Sequence, residues 1–242
     1  MSTDRRHIEI RGIPVEIVQK DIKNLHVGVY PPDGRVRVAA PLRLDHDGIR
    51  LAIISRLRWI KRQRTAFQTQ ARQSQRDMVT GESHYLFGQR YRLSVTHHEG
   101  PPSIAIRGNT TLHLRVRPDT DPSKRREILN RWYRNHLRER IPDLIATWEP
   151  TIGVQPAHWG IKRMKTKWGS CNPDAQRIWL NLELAKKPPA CLEYVLVHEM
   201  VHLRERHHGP RFVAIMDEVM PHWRLRRDEL NQGPLAHENW EY

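Results

Sequence analysis

One short segment restricts the fold more than any other feature of the sequence. Residues 191–205, CLEYVLVHEMVHLRE, contain the pattern His-Glu-x-x-His at His198–His202. Residues four apart lie on one face of an α-helix, so both imidazoles can reach a common ion if this segment is helical. The residues from Tyr194 to Val197 are largely apolar, which is typical of a helix that is buried. The segment therefore predicts a buried helix whose polar side chains form a site.

Glu199 follows the first histidine and is rotated from it by about 100° around the predicted helix. A carboxylate in this position lies beside an ion held by His198 and His202, where it can take a proton from activated water. We therefore predict Glu199 as the catalytic general base. The alternative is a pair of helical histidines satisfied by local hydrogen bonds, because this pattern also occurs by chance.

A third histidine follows at a suitable distance. His208 comes six residues after His202, and six helical steps rotate by about 240°, away from the metal-facing side. The helix must therefore end before His208, and Gly209-Pro210 favours an end at that point. His207 and Glu218 are competing third ligands. Three histidine ligands with one open position are typical of a catalytic zinc site, so we expect one Zn²⁺ per chain.

Several segments carry a resemblance to a known family. They are Lys165–Cys171 (KTKWGSC), Ile178–Asn181 (IWLN), Tyr194–Leu203, His208–Phe212 (HGPRF), Met220-Pro221 and the upstream Gly81–Leu93. On these residues the chain resembles the YgjP-like metallopeptidase domain family, a relative of SprT-like and WLM-type zinc proteins. The resemblance implies a zincin-like metal domain with His198, His202 and His208 as ligands. Metzincins share the histidine spacing, but their signature has glycine where this chain has Glu205.

The resemblance also concerns the strand before the metal helix. It implies that Arg177–Leu184 (RIWLNLEL) borders the cleft and binds an extended peptide by strand addition. Asn181 either orients a neighbouring loop or is structural. We expect Cys171 to be a buried thiol in a turn; a catalytic nucleophile or a reversible zinc ligand are the alternatives.

The predicted reaction is hydrolysis by metal-activated water, with a peptide or protein as substrate. Two other functions are compatible with the same residues. The first is metal-dependent hydrolysis of a phosphoanhydride in a nucleotide, and the second is nucleic-acid binding with a structural metal. The metal motif alone does not separate these functions.

The charge of the chain favours anionic partners. The formal net charge is +14 and the pI is near 10.4. Seven Lys and Arg residues and no acidic residue lie between Arg56 and Arg76, whereas residues 201–242 are nearly balanced. This basic segment is either a solvated helix face or a surface that binds nucleic acid or nucleotides, with Trp59 and Phe67 among its residues.

Composition excludes other classes of protein. No apolar run approaches the about 20 residues of a membrane span, and the N-terminus lacks the apolar core of a signal peptide. The two cysteines, Cys171 and Cys191, do not form a disulfide framework. We therefore expect a cytoplasmic protein that does not interact with membranes.

The pattern of elements predicts an α+β protein. A β-rich region with hairpins at residues 84–95 and 103–116 also contains one amphipathic basic helix that starts near Ile49. A long helix from about Lys124 to Trp148 opens the second region, which ends in the zincin-like domain. Pro118 to Pro122 interrupts the pattern, so we place a domain boundary there, with residues 1–122 as the β-rich region and 123–242 as the metallopeptidase domain.

Overall fold

The structure is a computed structural model that describes residues 5–30, 34–69, 77–164 and 167–232. Within these ranges the protein is α+β, as expected, with six α-helices and three mixed β-sheets. It divides into two compact units, made by the described residues up to 69 and by those from 77 to 232. None of the helices in the described ranges combines the length and the apolarity that a membrane crossing requires.

The first unit is one sheet with two helices and a core of its own. Its elements are β1 (Arg5–Ile10), β2 (Ile13–Lys20), β3 (His26–Tyr30), β4 (Arg35–Pro41), α1 (His46–Ser55) and α2 (Leu57–Thr69), with strand order β1-β2-β4-β3. Alternating residues such as Val15 and Val36 face the core, together with Ile53 and Ile60 from the helices.

The prediction of a single basic helix from Ile49 is wrong in one respect. The chain forms two helices, because Arg56 leaves helical geometry (φ −103°, ψ 5°) at the C-cap of α1. Its backbone N–H still donates to the Ile53 carbonyl, so the break is a tight turn that costs few hydrogen bonds. The side chain of Phe67 lies outside the described residues.

The second unit begins with a four-stranded sheet. Its strands are β5 (Ser83–Leu86), β6 (Gln89–His97), β7 (Ser103–Arg107) and β8 (Thr111–Val116), in the order β5-β6-β8-β7. Both predicted hairpins are confirmed as antiparallel pairs. The first turns at Phe87 (φ 47°) and Gly88 (φ 83°), two positive φ values that match a two-residue hairpin turn.

The long helix α3 (Pro122–Ile152) packs against this sheet. Asp121 caps its first turn by accepting from the Lys124 N–H at 2.9 Å, and Gly153 (φ 75°) ends it in the left-handed region. Leu93 and Leu114 of the sheet share one core with Leu137 of the helix. The compact units consequently divide the chain between residues 69 and 77, whereas the sequence placed a boundary after residue 122.

The remaining elements surround the metal motif. They are β9 (His158–Lys162), β10 (Gly169–Asn172), β11 (Arg177–Asn181), a 3-10 helix (Leu182–Lys186), α4 (Pro189–Val201), α5 (Pro210–Val219) and α6 (Trp223–Gln232). The sheet order is β10-β11-β9. The central strand β11 is hydrogen-bonded on both sides and cannot pair with an added peptide, so the expected strand addition at Arg177–Leu184 is wrong. Among the described strands, β10 has a single neighbour in this sheet.

Candidate metal centre

The helix α4 is buried on nearly all sides. Pro189 occupies its first turn, where the missing N–H costs nothing, and Leu192, Leu196 and Met200 pack into the core of the unit. Because most residues of α4 are buried, packing fixes its backbone. His198 and Glu199 consequently project from a rigid element, as a preorganised site requires.

Three imidazoles converge at the end of α4. His198 lies on the helix, His202 is its C-cap, and His208 comes from the segment before α5. The Nε2 atom of His208 lies 3.0 Å from Nε2 of His202 and 3.0 Å from Nε2 of His198. The three ligand atoms all lie within 4.8 Å of one another. The structure thus brings together the three histidines that the sequence selected.

The segment between α4 and α5 turns back as the sequence predicted. The N–H groups of Arg204 and Glu205 both donate to the Val201 carbonyl at 2.9 Å, which closes the helix immediately after the second histidine. Nδ1 of His202 lies 3.0 Å from the Glu205 carbonyl oxygen. Because a carbonyl can only accept, Nδ1 carries the proton and Nε2 presents its lone pair.

Phe212 of α5 supports all three imidazoles at once. Its ring centroid lies 4.9 Å from that of His198, 4.7 Å from that of His202 and 4.8 Å from that of His208. Phe212 is only 2 % exposed, so the surrounding core holds its ring in place. This support restricts the imidazole orientations, a role usually performed by groups just outside the ligand shell.

The electrostatics of the cluster suit a cation. Burial lowers the pKa of His198 to about 3, with further contributions from His202 and His208, and burial also lowers the pKa of His202. Both rings are consequently neutral at neutral pH, the form that binds metal. Bonds of about 2.0–2.1 Å to a tetrahedral zinc ion separate ligand nitrogens by roughly 3.4 Å, close to the two separations of 3.0 Å that His208 makes. The donor set therefore fits zinc.

Glu199 lies beside the cluster with a nearly buried side chain, 6 % exposed. Burial raises the pKa of its carboxyl group to about 8, and Lys167 opposes this shift. A Cβ placed on Gly169 of β10 would lie 2.5 Å from Oε1 of Glu199, so the strand backbone directly contacts the carboxylate. The sequence did not predict this role of Gly169, because the contact joins residues 30 positions apart through tertiary packing.

Asn181 holds the segment that leads into β10. Its Nδ2 donates to the Met164 carbonyl at 2.8 Å and to the Lys167 carbonyl at 2.7 Å, while Oδ1 accepts from the Met164 N–H at 3.3 Å and from the Glu183 N–H at 3.2 Å. Its own N–H donates to the Trp168 carbonyl at 2.9 Å. Of the two readings of Asn181, the structure supports the one in which it orients a neighbouring loop.

A cleft of about 680 Å³ opens over the cluster. Its walls include Trp168 and Cys171 on the β10 side, and Tyr194, Arg227 and Leu230 on the side of α4 and α6. The helix α6 was not predicted from the sequence, so its contribution to the cleft was missed. Tyr194 had a signal: it precedes His198 by four residues and therefore shares its helix face.

The sequence profile of the YgjP-like metallopeptidase domain family matches residues 23–233, most of the chain. The chain belongs to this family. The resemblance found from the sequence motifs is thereby confirmed, and family membership supports a metal-dependent hydrolase.

Two further comparisons add little to the family match. A solved structure, the metallopeptidase zymogen of Pyrococcus abyssi abylysin, aligns with a TM-score of 0.35 and 19 % identity, covering 39 % of this chain and 98 % of that chain. A search of curated proteins found no significant match.

The competing third ligands lie outside the histidine cluster of this YgjP-like chain. His207 and Glu218 are exposed, and neither belongs to the described group of potential ligands. Cys171 is half-buried in β10, and burial, with a contribution from Glu199, raises the pKa of its thiol to about 12. A thiol that stays protonated is a poor nucleophile and a poor metal ligand, which favours the packing role.

Other residues singled out from the sequence occupy separate places. Arg206 lines the cleft, whereas Arg204 donates to the Ile152 carbonyl at 2.8 Å. Within the described residues no potential metal-binding group includes His97, His98, His158 or His222, which have no ligand spacing in the sequence. On the basic segment, Arg58, Lys61 and Arg62 of α2 are exposed and Trp59 is 37 % exposed, while Arg72 and Arg76 lie outside the described residues.

Proposed function

We propose that this YgjP-like chain is a zinc-dependent peptidase with one Zn²⁺ bound by His198, His202 and His208. The observation that carries the proposal is the convergence of three Nε2 atoms next to a buried carboxylate in an open cleft. A site made of three imidazoles leaves a coordination position for a reactant, as catalytic zinc sites do. Membership of a metallopeptidase family favours a peptide bond as the target.

When bound, a zinc ion supplies Lewis-acid chemistry that makes water more acidic and polarises the scissile carbonyl group. The chain itself moves the proton. Glu199 takes a proton from the attacking water and returns it to the leaving amine. Its raised pKa, about 8 without metal, suits a group that must both accept and release a proton near neutral pH. The contact with Gly169 fixes the position of the carboxylate during both steps.

The supporting residues orient the reacting groups. The Glu205 carbonyl fixes the His202 tautomer, and Phe212 restricts the rotation of all three imidazoles. Asn181 holds the backbone that precedes Gly169. Because each of these contacts is formed by the fold itself, little reorganisation is needed when substrate binds.

The deciding experiment compares zinc-loaded wild type with Glu199→Gln on casein, short peptides and nucleoside triphosphates. We expect peptide cleavage to fall by at least about 100-fold in the variant while zinc content stays the same, because Glu199 is not a ligand. Undiminished cleavage by a zinc-containing Glu199→Gln protein contradicts the proposal. Cleavage of nucleoside triphosphates alone indicates the phosphoanhydride reaction, and zinc retention without any hydrolysis indicates a structural metal.

A further inference from the structure

The charged side chains around the cleft are unevenly distributed. Lys167, Arg206 and Arg227 line it, against the carboxylates of Asp174 and Glu199. Glu199 is buried beside the histidines, so it does not neutralise the rim of the cleft. Asp174 is 83 % exposed and lies 4.0 Å from Arg206, so neither carboxylate of the cleft lining lies within ion-pair distance of Lys167 or Arg227.

Arg227 is built into the wall that α6 contributes. Its guanidinium carbon lies 5.3 Å from the ring centroid of Trp223, and the Trp223 ring is parallel to that of Tyr194 (interplanar angle 7°, centroids 6.4 Å apart). Tyr194 in turn contacts His198, with 5.8 Å between ring centroids. This series of contacts connects Arg227 to His198 through two rings, and Arg227 lines the same cleft as the three histidines.

The guanidinium of Arg227 keeps donors for a ligand. Nε and Nη2 donate to Oδ1 of Asp228 at 3.1 and 3.0 Å, which leaves three of the five N–H bonds of the group. The Asp228 side chain is 55 % exposed, and exposed ion pairs contribute little energy, so this contact is readily shared or exchanged. The planar fork of an arginine matches the two oxygens of a carboxylate.

Lys167 adds a second positive charge on the opposite wall. It precedes β10, its backbone is held by Asn181, and its side chain is exposed. Among the described residues no carboxylate lies within ion-pair distance of its ammonium group. An anionic group in the cleft therefore experiences positive charge from both sides, which raises its local concentration.

We propose that the cleft selects peptides that carry a carboxylate next to the scissile bond and that Arg227 is the residue that binds it. This inference rests on the proposed peptidase function and adds the class of substrate. The carboxylate belongs either to an acidic side chain or to the C-terminus of the peptide, since both present the same two oxygens to the guanidinium.

The test uses two matched sets of peptides that share one sequence. In the first set, Glu is exchanged for Gln at each position flanking the cleaved bond; in the second, the free C-terminus is exchanged for an amide. Zinc-loaded wild type is measured by kcat/KM, and full-length Glu199→Gln protein by peptide anisotropy. We expect the acidic member of one set to be favoured by about five- to tenfold in both measurements, and increasing salt to reduce that preference. The set that shows the preference identifies the source of the carboxylate.

Substitutions then assign the preference to Arg227. Arg227→Gln should abolish it, and Arg227→Glu should reverse it towards peptides with Lys at the same position. The matched control is Arg224→Gln on the same helix: Arg224 also lies over the Trp223 ring, at 4.5 Å, and pairs with an aspartate, Asp217, but it does not line the cleft. The control should keep the wild-type preference.

Several results overturn the inference. They are equal affinity for acid and neutral peptides, an unchanged preference in Arg227→Glu, no peptide binding at about 1 mM, and tighter binding of a nucleoside triphosphate than of any peptide. Failure of the peptidase proposal is distinguishable from failure of this inference. If the protein is not a peptidase, wild type cleaves no peptide, but the anisotropy measurements still report whether peptides with a carboxylate bind more tightly.

Discussion

Gly169 and Glu199 lie so close together that the site has no room for a side chain at position 169. A Cβ there would stand 2.5 Å from Oε1 and 2.7 Å from Cγ of Glu199. Contacts below 3.0 Å require one group to move, and β10 is held by four paired residues of β11. The carboxylate is therefore the group that would be displaced.

We predict that Gly169→Ala lowers kcat by about 10- to 100-fold without loss of zinc, because a displacement of about 1 Å at a reacting group has an effect of that size. Peptide hydrolysis and metal analysis on the same preparation check this. Gly209→Ala is the control, since a Cβ on Gly209 meets no atom within 4 Å and its φ is −82°. Equal activity of both variants would show that the contact is not functional.

Replacement of two adjacent histidines, His207 and His208, should affect zinc affinity differently. We predict that His208→Ala weakens zinc binding by at least about 100-fold, because it removes one of three converging nitrogens. His207→Ala is the matched control and should retain about one zinc per chain, since His207 is exposed outside the cluster. Competition with a chelator of known affinity measures both. Equal affinities in the two variants would remove His208 from the ligand set.

Phe212 should influence zinc affinity as well as stability. We predict that Phe212→Ala lowers the free energy of unfolding by about 3–4 kcal/mol and also weakens zinc binding, because the three imidazoles lose their common support. The control is Ile215→Ala on the same helix, which removes a buried side chain other than the ring that contacts the histidines. It should lower the free energy of unfolding without changing zinc affinity. Urea unfolding and zinc titration distinguish the two effects. Equal zinc affinity in both variants would assign Phe212 to the core only.

The stability of the metal-free protein should depend on pH through Glu199. Its pKa is raised by burial from 4.5 to about 8. Between these values the folded state keeps a proton that the unfolded chain has lost, so the stabilisation present below pH 4.5 disappears as the pH rises through 8. Glu199→Gln lacks this dependence.

We therefore predict that metal-free Glu199→Gln gains stability relative to metal-free wild type as the pH increases from 5 to 9, by a few kcal/mol at about 1.4 kcal/mol per pKa unit. Urea unfolding with chelator at several pH values measures the difference. Other titrating groups are common to both proteins and cancel. A difference that stays constant with pH would show that the carboxyl group titrates normally.

Nucleic-acid binding by the basic face of α2 remains a prediction. We predict that the protein binds single-stranded DNA or RNA with a steep salt dependence, and that Arg58→Gln, Lys61→Gln and Arg62→Gln together weaken binding and reduce the salt slope by about 2–3. Anisotropy titration at several salt concentrations measures this.

The control for that experiment removes the same charge from α3, where Lys124, Arg131 and Arg138 are exposed. Neutralising these three residues should leave the slope nearly unchanged, and zinc content should be the same in both triple variants. No binding by wild type at micromolar protein, or equal losses in the two variants, would contradict a specific role for α2.

The sequence predicted the elements that local chemistry determines. The i, i+4 spacing of His198 and His202 predicted the helix, and Gly209-Pro210 supported an end before His208; α4 ends earlier, at Val201, and α5 starts at Pro210. The first hairpin was predicted with its turn at Gly88-Gln89, one residue after the observed turn at Phe87-Gly88. In each case residues close in the chain select the backbone conformation, so a single sequence suffices.

The elements that were missed depend on distant residues. The strand β10, GSCN, has no apolar alternation and exists because β11 pairs with it. The helix α6 is rich in arginine and its few apolar residues, such as Trp223 and Leu230, find their partners on α4 and in the core. The same limit applies to Gly169 and to the simultaneous contact of Phe212 with three imidazoles, since tertiary packing alone creates them.

The split origin of the three histidines links metal binding to folding. Two come from the end of α4 and the third from the segment before α5, so the unfolded chain does not hold the ligand set together. An ion that binds only the folded state stabilises it by RT ln(1 + [Zn²⁺]/Kd). This amounts to about 2.7 kcal/mol when the free zinc concentration is 100 times Kd. If zinc is the ion bound, we therefore expect the melting temperature of this chain to report the free zinc concentration around it.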